Sequence, residues 1–236
     1  MPTIKPKNSY HPAIDTLQKE IEQYFKSLAE KNETIRYQFL FSPFYENADV
    51  LILGFNPGMG DKYCADVMER TGLTYTKYDT YSTGRDTFYV FRKAGLENVL
   101  EGRIVKSNVF HLATRTASQL YTTAKKIDET PKWLFYKKHY EWTRELIQKV
   151  APKLIIIEGI RAYREIKKAI EENRFGQGID FIDKTEIFQG KFEIGNRTFV
   201  FIGYHRARHG MINKDGFAEL LREQYLQLNM LEEATK

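Results

Sequence analysis

The sequence is poor in the residues and runs that mark several large classes of protein. Its 236 residues include one cysteine, Cys64, which excludes a disulfide framework, a zinc site made of cysteines and a four-cysteine iron–sulfur cluster. No apolar run approaches the roughly 20 residues of a membrane-spanning helix, and residues 1–10 lack the apolar core of a signal peptide. We therefore expect a cytoplasmic protein that has no membrane partner.

Motifs for metals and cofactors are also missing. His205 and His209 are four residues apart, but no carboxylate accompanies them, as a metallohydrolase site would require. A Gly-x-Gly-x-x-Gly motif and a Walker loop are absent. We predict no metal and no cofactor, and a monomer with a single domain over residues 1–236, of which residues 1–35 form an N-terminal helical extension.

Aromatic residues and positive charge are what the chain has in excess. It contains 16 Phe, 15 Tyr and 2 Trp, and its formal net charge is +5. Aromatic rings fill cores and also stack on nucleobases, while a basic surface suits a polyanionic partner. Both features are compatible with binding to DNA, although many basic proteins never contact a nucleic acid.

Hydrophobic periodicity predicts short buried strands that alternate with amphipathic helices. The predicted strands are short and apolar: 50–55, 104–110, 154–158, and the hairpin arms 191–194 and 198–203. The predicted helices have apolar residues at helical spacing: 12–31, 85–94, 133–150, 160–171 and 217–228. Residues 59–84 are interpreted as a loop with a short helix, and 120–130 as a basic connection. This alternation predicts an α/β fold of three layers, α/β/α, around a central parallel four-stranded sheet.

Three polar clusters follow predicted strands, at the edge where parallel strands end and ligands bind. The first is residues 54–58 (GFNPG). Its glycines and proline fix a tight turn, which lets the backbone approach a ligand and holds Asn56 at the strand tip. The alternative is an ordinary strand-to-loop turn with an Asx hydrogen bond.

The second cluster is residues 106–111 (KSNVFH), in which Asn108 interrupts an apolar, strand-like run. A buried side-chain amide needs hydrogen-bond partners. Its donor and its acceptor can pair with O4 and N3–H of a uracil-type ring. The alternative is that Asn108 is bonded to neighbouring backbone.

The third cluster is residues 205–209 (HRARH), directly after the apolar strand 198–203. Two histidines and two arginines in five residues make a dense cationic loop, which suits contacts to phosphates. The alternative is a solvated basic turn, because arginine and histidine are common on protein surfaces.

Together these clusters resemble the uracil-DNA glycosylase superfamily, over about residues 49–214. Residues 54–58 are similar to the first motif of that family, in the Gly-x-Asn-Pro-Gly form of its mismatch-specific and single-strand-selective branches. Asn108 stands where the family has its base-reading asparagine, and His205 stands where its second motif begins. Residues 86–96 and 152–163 resemble the helix after the first motif and the third strand with its helix.

The resemblance implies a uracil-DNA-glycosylase-like fold and a monofunctional DNA glycosylase, which flips a uracil-like or modified pyrimidine out of DNA and hydrolyses its glycosidic bond. It implies that Asn56 positions the attacking water and that His205 forms a hydrogen bond with O2 of the base. The expected base-binding residues are Phe55, Asn108 and Tyr63. The expected DNA-binding residues are Gly58, Arg206, Arg208, His209 and Met211. For Met211 and Ile212 a wedge in the DNA stack and a core contact of the last helix are equal alternatives.

Departures from the family pattern keep other functions open. Arg206-Ala207 stands where the family has Pro-Ser, and residues 68–69 stand where it has the aromatic residue that stacks on the base. Substitutes for that aromatic are Tyr63, Tyr75, Tyr78 and Tyr81. One alternative is a glycosylase of bulky modified pyrimidines in bacteriophage DNA, with a role in defence. Another is an inactive relative that binds DNA without cleaving it, and a third is a flavodoxin-like nucleotide-binding protein.

Overall fold

The structure of the protein, a computed structural model, describes residues 12–31, 35–58, 82–100, 103–127, 132–183, 186–207 and 210–234. Several residues to which the sequence assigns a role lie outside these ranges. They are Tyr63, Tyr75, Tyr78, Tyr81, Arg208 and His209. Most of the predicted loop with a short helix, 59–84, lies outside them too, and its last three residues begin a helix.

A mixed six-stranded sheet forms the centre of the molecule. Its strands in chain order are β1 (Val50–Gly54), β2 (Ile104–Asn108), β3 (Leu154–Glu158), β4 (Gln177–Asp183), β5 (Ile187–Ile194) and β6 (Arg197–Tyr204). The spatial order is β2-β1-β3-β6-β5-β4, in which the first four strands are parallel and the last two antiparallel. β1 and β3 are buried along their whole length, because both of their faces are covered.

Helices cover the two faces of this sheet. In the described part of the chain they are α1 (Pro12–Lys31), α2 (Ser82–Lys93), α3 (Glu97–Leu100), α4 (Ala117–Ile127), α5 (Lys132–Val150), α6 (Ile160–Glu171) and α7 (Lys214–Ala234). One core cluster joins the sheet to α1, α4, α5 and α6, and the other joins it to α2, α3 and α7. We call the two sides of the sheet the α5 face and the α2 face. None of the described helices has both the length and the apolar content needed to cross a bilayer.

The α/β class and the layered arrangement that the sequence predicts are confirmed, and the helix bounds 12–31 and 160–171 agree with the structure. The four predicted parallel strands are present as β2, β1, β3 and β6. A purely parallel, four-stranded sheet is wrong, because β5 and β4 extend the sheet to six strands by antiparallel pairing. No apolar run in the sequence predicts strand β4. It is an edge strand with an irregular register between Gly178 and Asp180. The predicted connection 120–130 is also wrong, since α4 covers most of it.

Candidate active site at the carboxyl edge of the sheet

The carboxyl ends of the four parallel strands meet in one row. Gly54 of β1 pairs with Asn108 of β2, and Glu158 of β3 pairs with Tyr204 of β6. Strands β1 and β3 are in register up to the residues before Gly54 and Glu158. Side chains in one row of a sheet share a face, and Tyr204 belongs to the core cluster on the α2 face. Asn108, Glu158 and Tyr204 therefore point to the same side of the sheet.

Gly54 makes room for the side chains on either side of it. A Cβ atom at this position would collide with Oδ1 of Asn108, and it would lie 3.5 Å from Oε2 of Glu158. Any residue with a side chain would thus displace the Asn108 amide from the strand tip. The first residue of the GFNPG motif has a steric function here, which is distinct from the freedom of its backbone.

Asn108 carries a buried amide with an unpaired donor. The residue is 5% exposed, and its Nδ2 has no hydrogen-bond partner among the described residues. A buried donor without a partner costs about 1–3 kcal/mol, and such groups are rare unless a ligand, water or ion completes them. This arrangement favours the base-reading interpretation of Asn108 over the backbone-bonded one.

The side chain of Asn56 is held in place by hydrogen bonds that involve its amide nitrogen, Nδ2. Nδ2 lies 2.9 Å from Oγ1 of Thr114, 3.2 Å from the carbonyl oxygen of Leu112 and 3.1 Å from that of Pro57. Backbone hydrogen bonds from Val109 and Thr114 to Gly54 and Pro57 join the same two segments. Because the donor side of the amide is held by the protein, Oδ1 is the side that remains to accept a hydrogen bond from water. An Asx turn would instead have Oδ1 accept a backbone N–H. Among the described residues, the hydrogen bonds of the Asn56 side chain all use Nδ2 as the donor.

Phe55 and Gly58, which flank this asparagine, differ in exposure. The Phe55 ring packs edge-on against Phe110, with 5.2 Å between the centroids, in the core cluster on the α5 face. Gly58 is exposed and forms an isolated bridge with Thr114. The ring of Phe55 thus packs in the core and its carbonyl oxygen accepts a hydrogen bond from the Phe110 N–H, while Gly58 is accessible to a ligand.

His205 lies at the same edge but apart from the asparagines. Its backbone N–H donates to the carbonyl oxygen of Glu186, and its own carbonyl oxygen accepts from Ile212. The imidazole packs 5.9 Å from the ring of Phe188, measured between centroids, and Phe188 belongs to the cluster on the α5 face. The structure therefore brings Asn56 and Asn108 together at the tips of β1 and β2, but it does not direct the His205 ring toward them.

A charged network that sequence reasoning missed crosses the strand tips. Nζ of Lys106 lies 2.9 Å from Oε2 of Glu158, with side chains 14% and 5% exposed. The Tyr204 hydroxyl donates to Oε1 of Glu158 over 3.2 Å. Burial, followed by the Glu158 charge, raises the pKa of Tyr204 well above its ordinary value. One signal was available: Glu158 is the single acid that ends an otherwise apolar strand.

A small hairpin follows His205 and is anchored to helix α2. It consists of β7 (Arg206–Ala207) and β8 (Gly210–Met211). The Asp86 carboxylate, 6% exposed, accepts a hydrogen bond from the Met211 backbone N–H over 2.6 Å and pairs with Lys214. Met211 itself is 7% exposed and belongs to the core cluster on the α2 face. This position favours the core alternative for Met211 over the DNA wedge.

Across the described ranges, no group of three or more His, Cys, Asp or Glu side chains is arranged to hold a metal ion. No protein-family model and no curated protein matches the chain. The protein is thus an α/β protein with a candidate site at the carboxyl edge of its parallel strands. The site contains the buried amide of Asn108, the side chain of Asn56 held by hydrogen bonds from its Nδ2, and the buried ion pair of Lys106 and Glu158.

Proposed function

We propose that this protein is a DNA glycosylase, which extrudes a base from DNA and hydrolyses its N-glycosidic bond to leave an abasic site. The observation that carries the proposal is Asn108, whose buried Nδ2 has no partner in the part of the chain that the structure describes and lies at a sheet edge beside the GFNPG turn. A side-chain amide in this state is suited to bind the edge of a planar heterocycle that has both donors and acceptors. Extrusion is needed because the target bond is inaccessible inside a duplex.

Asn56 supplies the water-positioning part of the mechanism. Oδ1 accepts a hydrogen bond from a water molecule, whose oxygen adds to C1′ of the sugar as the bond from C1′ to the base breaks. The amide takes no proton at neutral pH, so the proton of the water passes to solvent. Contacts that strengthen in the transition state are typically worth about 3 kcal/mol of barrier. An enzyme of this kind is slower than one with a carboxylate at the same place.

Asn108 acts on the departing base. The electron pair of the broken bond goes to the base, which leaves as an anion, and Nδ2 donates a hydrogen bond that strengthens as the negative charge develops. Near-complete burial increases the strength of that hydrogen bond, because water does not compete for it. The crevice between the sheet and α2, lined in part by Thr87, Glu158 and Tyr204, has no room for a water molecule. The base therefore binds beyond the strand tips and not between the layers.

Release of a free base tests the proposal. Single-stranded and duplex oligonucleotides with one uracil, one mismatched thymine or one bulky modified pyrimidine are incubated with the protein. Free base is identified by mass spectrometry, and abasic sites are revealed by alkaline strand cleavage. We expect one of these bases to be released, and Asn56→Ala and Asn108→Ala to lose at least about 100-fold in rate.

A matched control is Asn98→Ala, which removes an exposed amide from α3 and should release base at the wild-type rate. If no oligonucleotide in the panel yields a free base, the glycosylase proposal is wrong. If Asn56→Ala releases base as fast as the wild-type protein, the role given to Asn56 is wrong.

A second candidate is a protein that binds an extruded or modified base without cleaving it. Two observations favour it: Nδ2 of Asn56 is held by three oxygen atoms of the protein, and the His205 ring packs toward Phe188. This candidate predicts that Asn108→Ala weakens binding to an oligonucleotide with the recognised base, and that no abasic site forms at any enzyme concentration.

A further inference from the structure

Exposed arginines follow three of the four parallel strands at the edge that holds the candidate site. Arg115 follows β2 and precedes α4, Arg161 lies in the first turn of α6 after β3, and Arg206 follows β6 in the hairpin β7–β8. All three are exposed. Among the ion pairs of the described residues, none involves any of the three. Their charges are thus available to a ligand in solution.

Contacts between the strand tips and the helices that follow them connect these arginines into one arc. Cγ and Cδ of Arg206 lie 3.8 Å from the position of a Cβ atom on Gly159, the residue directly before α6. Arg161 is two residues further along, so the two arginines are neighbours at the tips of β3 and β6. The stem of Arg206 therefore lies across the start of α6.

The other end of the arc passes over β1. The Tyr121 hydroxyl of α4 donates a hydrogen bond to Oε1 of Glu165 over 2.8 Å. Glu165 lies one helical turn after Arg161 in α6, so the first turns of α4 and α6 are neighbours. The Tyr121 ring lies 6.5 Å from the ring of Phe55, between centroids. Arg115 lies two residues before the amino end of the same helix. The cations therefore surround the tip of β1, where Asn56 is located.

Charge is divided unequally along this edge. The parallel half has the three arginines, whereas acidic side chains occupy the antiparallel half, with Asp183 at the end of β4 and Glu186 just before β5. Asp183 is bound to Tyr163 and is neutralised by Lys167. The described residues of the antiparallel half therefore add no net positive charge, and a long polyanion would be attracted to the tips of β2, β1, β3 and β6.

We propose that Arg115, Arg161 and Arg206 form a phosphate-binding arc, which carries one strand of a nucleic acid across the tips of the parallel strands. Three strand spacings make about 14 Å, which spans roughly four phosphates of a B-form strand at 3.4 Å each. Guanidinium groups bind phosphates with two parallel hydrogen bonds, and the amino ends of α4 and α6 add favourable dipoles. The arc rests on the proposed function for its partner, and it places the sugar of an extruded base beside Asn56.

Binding at varied salt tests the arc without any cleavage. A fluorescein-labelled 20-nucleotide oligodeoxythymidylate and a 20-base-pair duplex are titrated by anisotropy between 50 and 300 mM KCl. We expect each of Arg115→Gln and Arg161→Gln to reduce the slope of log K against log salt by about 0.7 on the single strand, or about 0.9 on the duplex. At 0.1 M salt the affinity should fall about fivefold to tenfold for each variant.

Arg103→Gln is the matched control. It removes an exposed arginine just before β2, at the opposite edge of the sheet, and should keep the wild-type slope. The arc is overturned if the arginine variants have the same slope as Arg103→Gln, or if the wild-type protein binds neither probe at 50 mM KCl. A lost slope in a protein that releases no base from any oligonucleotide would overturn the glycosylase proposal and leave the arc intact.

Discussion

Gly54 and Asn108 are paired at the tips of β1 and β2, and the space that a Cβ atom on Gly54 would fill is taken by Oδ1 of Asn108. We predict that Gly54→Ala destabilises the fold by about 1–3 kcal/mol, the usual range for overpacking, and abolishes base release by displacing the amide. Urea denaturation and the oligonucleotide assay measure the two effects separately.

Gly58→Ala provides the contrast within the same motif. A Cβ atom on Gly58 meets nothing within 4 Å, so this variant should unfold at the wild-type urea concentration. Equal destabilisation by the two substitutions would show that the motif needs its glycines for backbone freedom and not for the space that Asn108 occupies.

Much of this site could be predicted from the sequence because strand tips are local features. An apolar run that ends at GFNPG predicts a buried parallel strand with Asn56 at its end, and a run interrupted by Asn108 predicts a second. Parallel strands share one edge for their carboxyl ends, so proximity of the two asparagines follows once both strands are assigned.

The rest depends on strand order and on side-chain direction. The Lys106–Glu158 pair spans β1, and it can be foreseen only when β2, β1 and β3 are known to be adjacent in that order. The direction of the His205 side chain could be predicted in part from its neighbour. Strand residues alternate between the two faces of a sheet, and Tyr204, the residue before His205, has a largely apolar side chain that is buried. Applied beyond Tyr204, the same alternation turns His205 toward the α5 face.

The Lys106–Glu158 pair gives a second prediction, about stability. Removing one partner of a buried pair leaves an uncompensated charge and costs about 3–5 kcal/mol. We expect that cost for Lys106→Met alone, and a smaller one for Lys106→Met combined with Glu158→Gln, in which Oε1 still accepts from Tyr204. Urea denaturation of Lys106→Met, Glu158→Gln and the double variant measures the coupling: a double variant as unstable as the sum of both singles would mean that the charges are not coupled.

The hairpin β7–β8 depends on Asp86, which binds the backbone of Met211. Asp86→Ala leaves a buried N–H without its acceptor, and we expect a loss of about 1–3 kcal/mol together with faster hydrogen exchange at the Met211 amide. The control is Asp215→Ala, whose carboxylate binds Lys93 and the Tyr89 hydroxyl at the surface. Unchanged exchange at Met211 in Asp86→Ala would show that strand pairing alone holds the hairpin.

Two buried imidazoles predict a dependence of stability on pH. His111 and His139 are 0% exposed, and their ring centroids are 5.3 Å apart. Burial lowers the pKa of His111 to about 3; burial and then the charge of His111 lower that of His139 well below its ordinary value. Between pH 6.5 and 3 the unfolded chain therefore binds more protons than the folded chain, and the free energy of unfolding decreases as the pH falls through this window.

From pH 6.5 to 5, His111 alone should cost roughly 2 kcal/mol of stability, at 1.36 kcal/mol per pH unit. Neither ring nitrogen of His111 has a partner among the described residues, so His111→Leu should lose no side-chain hydrogen bond at pH 7 and should flatten the acid limb. Denaturant midpoints measured at pH 7, 6 and 5 give the slope. A variant that loses stability with acid as steeply as the wild-type protein would contradict the assignment to His111.

His205 and Asn108 offer the sharpest separation between the family pattern and the geometry of this chain. The pattern makes His205 the group that stabilises the departing base, whereas its ring packs near Phe188 on the α5 face and Asn108 points to the α2 face. If the ring keeps this direction with DNA bound, His205→Ala should slow base release by less than tenfold while Asn108→Ala slows it at least about 100-fold. Single-turnover rates with saturating oligonucleotide measure the chemical step. Equal losses in the two variants would mean that residues 205–207 turn toward β1 when DNA binds, and His205 would then regain the role that the resemblance gives it.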